Sequence, residues 1–213
     1  MMSFHIEDFL GVLESYNLAI WPLQIIAFIL GLIALYLAIK KTKYSNRIVL
    51  VILSFFWLWN GIVFCPFFWA STYPSAYLFS LFCIIQGLLL VSSIFKSDIV
   101  FDYRSNTITL IGLIFIIYAM LGYQLLGYFI GHVYPKFFPV GLVPCPTTIF
   151  TFGMFLLTIE RIPKYYLLIP LIMGLGGFLA VSKGIYEDIG LIITAILGTI
   201  LILQRDRKVE LKT

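Results

Sequence analysis

Gln24, Asn60, Thr147 and Thr148 are uncharged hydrogen-bonding side chains set inside long apolar runs. Trp57 and Trp59 flank the amide in Trp57-Leu58-Trp59-Asn60-Gly61. Cys145 precedes the two hydroxyls in Pro144-Cys145-Pro146-Thr147-Thr148. Polar groups are costly within a bilayer and tend to mark solute or ion pathways there. Amides and hydroxyls offer hydrogen bonds and indoles an apolar wall, so the chemistry they suit is recognition of a small solute rather than bond making. A helix starting at Pro146 would aim its first N–H groups back at Cys145, Thr147 and Thr148, which favours a carbonyl or anionic group. The competing reading is that these side chains join helices by interhelical hydrogen bonds, worth about 0.6–2 kcal/mol each.

Other chemistries have less to stand on. No Asp, Glu, Lys or Arg lies deep within an apolar run, which argues against a buried-carboxylate proton relay or a charged ion path. The two histidines, His5 and His132, are far apart in sequence and make no bis-histidine haem site. Cys65, Cys83 and Cys145 form no close-spaced ligand pattern, so no metal or cofactor is expected. Cys65 and Cys145 are each followed by proline, which leaves a disulfide, a soft-metal pair and free packed thiols all open. No histidine, carboxylate or serine–base constellation suggests an enzyme, although a thiol reaction at Cys145 stays open. Lys183 and Glu187 stand four apart with Asp188 beside them. They read as an interfacial salt bridge or as a charged rim over a cavity near Thr148.

The elements that would position these residues are transmembrane helices. The chain is 62% hydrophobic and 11% charged, against about 25% charged in soluble domains. It is therefore expected to be an all-α multi-pass membrane protein, with the lipid bilayer as its main partner. Apolar segments run over 18–39, 48–68, 76–95, 108–131, 146–159, 165–182 and 189–203, which gives seven spans. The fifth is short, and it reaches full length only if the apolar stretch from Phe137 dips in with it. Pro139, Gly141, Pro144 and Pro146 fall within eight residues there, so a proline-broken helix is expected, with its freed backbone groups covered by protein or facing a cavity. Residues 3–17 carry Ile6, Phe9, Leu10 and Leu13 on one helical face, with Ser3 as N-cap. This gives an amphipathic element over 1–17, lying on the membrane interface or packed over the bundle. The membrane domain covers 18–204 and a basic tail 205–213. Glu7, Asp8 and Glu14 interrupt the apolar positions, so no cleavable signal is expected in this stretch.

The basic residues set the orientation. Lys40, Lys41, Lys43 and Arg47, then Lys96 and Arg104, then Arg161 and Lys164, then the tail, fall on alternate connections. Only Lys136 and Lys183 lie on the other side, so the N-terminus is expected outside and the C-terminus in the cytoplasm. The +4 charge is spread over these short loops and does not suggest nucleic acid. Trp21-Pro22 followed by Gln24, Ile25 and Phe28 is echoed by Cys145-Pro146 followed by Thr148, Ile149 and Phe152. That echo suggests two three-helix units around a linker helix, a 3+1+3 parallel repeat, against chance matching of apolar helices. Two small-x-x-x-small pairs, Gly127/Gly131 and Gly176/Ala180, suit internal packing or a homo-oligomer face.

Trp21-Pro22, Trp57-Leu58-Trp59-Asn60-Gly61 and the Pro-Cys-Pro-Thr-Thr motif resemble an uncharacterised family of bacterial multi-pass membrane proteins, a domain of unknown function. Some of its members carry an automatic transporter permease label. The resemblance covers nearly the whole chain and implies a protein of the bacterial inner membrane. It implies no substrate and no site residues. A small-solute permease or solute-binding protein is the expectation, with a packed accessory subunit or sensor as the alternative.

Overall fold

The computed structural model describes residues 5–210, with side chains to residue 207; the expected cap Ser3 lies outside the described residues. Among the described residues the chain is helical, and its one β contact is an isolated bridge between Phe101 and Thr158. Helix α1 covers Ile6–Ala19, α2 Leu23–Ile39 and α3 Ser45–Trp59, the last continuing as a π-helix over Asn60–Trp69. Helix α4 is Ala76–Lys96. Helix α5, Thr107–Ile117, passes through a π-helical turn, Tyr118–Gly122, into α6, Tyr123–Phe129. Then follow α7 Pro144–Leu156, α8 Tyr165–Leu175, α9 Gly177–Val181 and α10 Asp188–Glu210.

Five of these runs are long and apolar enough to cross a membrane: Ser45–Trp69, Ala76–Lys96, Thr107–Phe129, Tyr165–Ser182 and Asp188–Arg207. The pair α1 and α2, bent by 86°, makes a sixth if counted as one span. The count is therefore five or six where the sequence suggests seven. The differences lie in the first and fifth segments. Pro22 stands just ahead of α2 and limits it to 17 residues, while α7 has 13.

The outside of the bundle is as apolar as the inside. On α2, Ile25, Ile29, Leu32 and Tyr36 are exposed, while Ala27, Gly31, Ala34 and Ala38 on the opposite face are buried. On α4, Leu78, Leu81, Ile85 and Leu88 are exposed. Small residues inward and large apolar residues outward are compatible with helices packed in lipid.

Helix α7 stands in the middle. It packs against α3, α5, α8 and α10, and every residue in it except Cys145 is buried. Its closest neighbour is α5. A Cβ on Gly112 would come 2.8 Å from the Gly153 carbonyl oxygen, and one on Gly153 would come 2.8 Å from that of Gly112. Only glycine allows this approach at both points.

The prolines start α7 rather than break it, a correction to the expected broken helix. Pro144 occupies the first helical position, where a missing N–H costs nothing. Pro146 has no N–H to give the Leu142 carbonyl, and the Tyr16 hydroxyl donates there instead at 2.7 Å. The interruptions lie elsewhere. Pro66 sits inside the π-helical end of α3, where the freed Gly61 carbonyl accepts from Ser80 Oγ at 2.5 Å. The α8–α9 run breaks at Gly176.

At the far end, Arg205 of α10 donates to the carbonyls of Phe155 and Thr158, 3.0 and 2.8 Å away. Asp206 accepts from the Ile162 N–H at 3.0 Å. The first residues of the basic tail thus continue α10 and fasten it to the loop after α7.

Candidate functional site

The two sides of α7 carry different chemistry. On the side facing α3, polar groups are matched to one another. Trp57 Nε1 donates to Thr151 Oγ1 at 2.9 Å. Asn60 Nδ2 lies 2.7 Å from the Phe56 carbonyl, 3.2 Å from that of Gly141 and 3.4 Å from Thr147 Oγ1. Thr147 and Thr151 each donate back one turn, to the carbonyls of Val143 and Thr147, the usual way a buried helical hydroxyl is satisfied. Trp59 Nε1 donates to Tyr16 Oη at 2.7 Å, which links α3 to α1 and, through Leu142, to the start of α7. Gly141, at φ +81°, makes this possible: a Cβ there would meet the Phe56 ring at 2.5 Å.

Four of the sequence candidates, Trp57, Trp59, Asn60 and Thr147, are therefore brought together, but as partners in packing. Gln24 is held apart from them. Its Nε2 donates to the Asn17 carbonyl at 2.7 Å, and Asn17 in turn donates to the carbonyls of Pro135 and Phe137. This joins the α1–α2 bend to the loop before α7.

Cys145 and Thr148 face the other way. They line a cavity of about 270 Å³ at the end of the bundle that carries α1. An aromatic wall stands opposite, built around Trp69, whose ring lies 4.8 Å from Phe79, 5.5 Å from Phe9 and 6.0 Å from Phe64. Met173 and Leu191 close the sides. Two charged residues reach this space, Asp188 from α10 and Lys183 from the loop before it. Lys183 is exposed, whereas Asp188 is fully buried. Asp188 Oδ1 accepts from Tyr123 Oη at 2.5 Å, and Oδ2 has no hydrogen-bond partner. The Cys145 thiol lies against the Asp188 and Tyr123 side chains. All three cysteines are free thiols.

Next to Asp188 is a second buried carboxylate, and here the structure departs from the sequence reading of Lys183 and Glu187 as a pair. Helix α9 ends at Val181, and Gly184 turns the chain at φ +98°. The two residues are thus not one helical turn apart. Glu187 swings inward to His132, with Nδ1 and Oε1 2.6 Å apart and the side chains 7% and 0% exposed. Gly127 admits it: a Cβ there would lie 2.9 Å from Glu187 Oε1. Tyr118 Oη donates to the Glu187 carbonyl at 2.7 Å.

Buried carboxylates were not expected, because Glu187 and Asp188 fall in a short polar connection between apolar segments. The signal that points to them is positional. His132 and the Glu187-Asp188 pair lie in two connections assigned to the same side. Among the described residues, no three His, Cys, Asp or Glu side chains converge as a metal would require.

The start of α7 is a weaker anion site than its sequence suggests, since two of its first three residues, Pro144 and Pro146, have no N–H.

No curated protein and no solved structure matches the chain. Residues 6–213 match one family, and the chain accordingly belongs to DUF6064, a family of unknown function.

Proposed function

We propose that this chain is a multi-pass protein of the bacterial inner membrane that takes a small, mainly apolar solute into the cavity beside Cys145 and Thr148, as a permease or a solute-binding component. The observation that carries this reading is the cavity itself. At about 270 Å³ it falls just short of the roughly 300–1,000 Å³ common for drug-sized ligands, so it suits a smaller one. It is mostly apolar with a few polar groups converging at α7 and α10, as ligand sites usually are. The distribution of Lys and Arg supports an outward orientation for this end of the bundle, with seven crossings if α2 and α7 each count as one.

A second reading, a non-transporting accessory subunit, draws on the tightly bonded α3 side of α7, where Trp57, Thr147 and Thr151 close against one another.

The test is accessibility followed by uptake. A variant carrying Cys65→Ala and Cys83→Ala keeps Cys145 as its sole thiol. In right-side-out vesicles, an impermeant maleimide is expected to label Cys145, with Lys183→Cys in a cysteine-free background as the exposed control. Uptake of a panel of small solutes is expected to fall when Thr148→Trp fills the cavity. Labelling of Cys145 only in inverted vesicles would overturn the orientation. A solute panel taken up equally by wild type and Thr148→Trp would leave the accessory reading in place.

A further inference from the structure

We infer that the solute accepted by this cavity is a small organic cation, an alkylated or quaternary ammonium with an apolar body; this rests on the cavity being a solute site. Two independent features of the lining point there.

The first is Asp188. It lines the cavity, is fully buried, and leaves Oδ2 without a hydrogen-bond partner. A buried charge without a counter-charge is expensive. Asp188 is the first residue of α10, at the positive end of that helix's dipole. Of its two oxygens, Oδ1 accepts from Tyr123 and the buried Oδ2 has no hydrogen-bond partner. The other ionisable groups nearby do not neutralise it. His132 is already bonded to Glu187, itself acidic. Lys183 is exposed on the rim and forms no ion pair with Asp188.

The second feature is the facing wall. Phe64, Trp69 and Phe79 line the same space, and the Trp69 indole packs at a tilt against Phe79, Phe9 and Phe64 at 4.8–6.0 Å. Aromatic faces attract cations through the ring quadrupole, most strongly when water is excluded, and aromatic cages are a common way to hold quaternary ammonium groups. A carboxylate and aromatic rings in the lining of one cavity suit a charge that makes few hydrogen bonds and is carried on an apolar group. A neutral solute would bring no counter-charge to Asp188, and an anion would meet it with like charge.

The experiment uses the purified full chain with Cys145 as its sole thiol and measures how far each probe slows maleimide labelling. The probes are choline, its uncharged carbon isostere 3,3-dimethyl-1-butanol, and the anion 3,3-dimethylbutanoate. Choline is expected to give half-protection at a concentration at least about tenfold lower than the alcohol. Asp188→Asn is expected to abolish that preference and Asp188→Glu to retain it. If Asp188→Asn fails to fold, the choline-to-alcohol ratio in the parent chain still decides the matter. Equal protection by the alcohol overturns the cation assignment and leaves the cavity as a solute site. Stronger protection by the carboxylate also overturns it and assigns the dominant charge to Lys183. No protection by any probe, with Cys145 still labelled, sinks the solute cavity itself.

Discussion

The α3 side of α7 and its cavity side differ in what their polar atoms touch. Toward α3, Trp57, Thr147 and Thr151 each have a protein partner and Asn60 Nδ2 has three within reach, Asn60 Oδ1 alone of these groups having none. Toward the cavity, Asp188 Oδ2 has none and the buried Trp69 Nε1 has none. One short helix therefore holds the bundle together with one face and leaves room with the other. A polar residue in a membrane helix is a weak pointer to a site on its own. What distinguishes a ligand group from structural glue is whether its hydrogen-bonding capacity is already used.

That contrast can be broken by substitution, and the largest effect is expected at Trp57. It is fully buried and spans from α3 to Thr151. Trp57→Ala is expected to cost about 3–5 kcal/mol of stability, read as a large drop in the detergent unfolding midpoint and loss of a monodisperse peak. Tyr16→Phe comes next, at about 1–3 kcal/mol, because it removes the donor to Leu142 and the acceptor for Trp59 at once. A double-mutant cycle with Trp59→Phe is expected to show coupling between the two. Asn60→Ala is expected to cost about 1–2 kcal/mol, partly offset because its Oδ1 is already buried without a partner. Thr148→Val, on the cavity side, should shift stability by no more than about 0.5 kcal/mol, since its hydroxyl bonds only to Pro144 within its own turn. Its effect should appear instead in probe protection of Cys145. A Thr148→Val penalty as large as that of Asn60→Ala would erase the distinction between the faces.

The helices were legible in the sequence because apolar runs in a charge-poor chain have few alternatives. The run expected over 76–95 is α4, Ala76–Lys96, and that over 165–182 is α8 with α9. Pro144 and Pro146 were legible as local punctuation, but not in their effect. Whether a proline breaks a helix or begins one depends on a single register step, and here Pro144 takes the first position. The site was legible only in part. Cys145 and Thr148 reach the cavity, while Trp57 turns to Thr151, Trp59 to Tyr16 and Asn60 to Thr147. Nothing local tells a threonine that caps its own turn beside a tryptophan from one that borders a void. Glu187 and Asp188 were hidden for another reason. Their burial comes from His132, Gly127 and Tyr123, all more than 50 positions away.

If the chain spans a membrane as proposed, the enclosure of α7 also bears on how it is inserted. At 13 residues and a rise of about 1.5 Å each, the helix is about 20 Å long, too short to cross a hydrocarbon core of about 30 Å by itself. Two of its four walls, α3 and α5, are synthesised before it; the other two, α8 and α10, come after. Its cavity side, with Cys145 and Thr148, thus meets its final surroundings only once the last helix arrives and Arg205 fastens onto the loop behind it. A ribosome that stops before Tyr165 leaves a central helix with half its walls missing, so the stretch from α8 onward completes the surroundings of the middle.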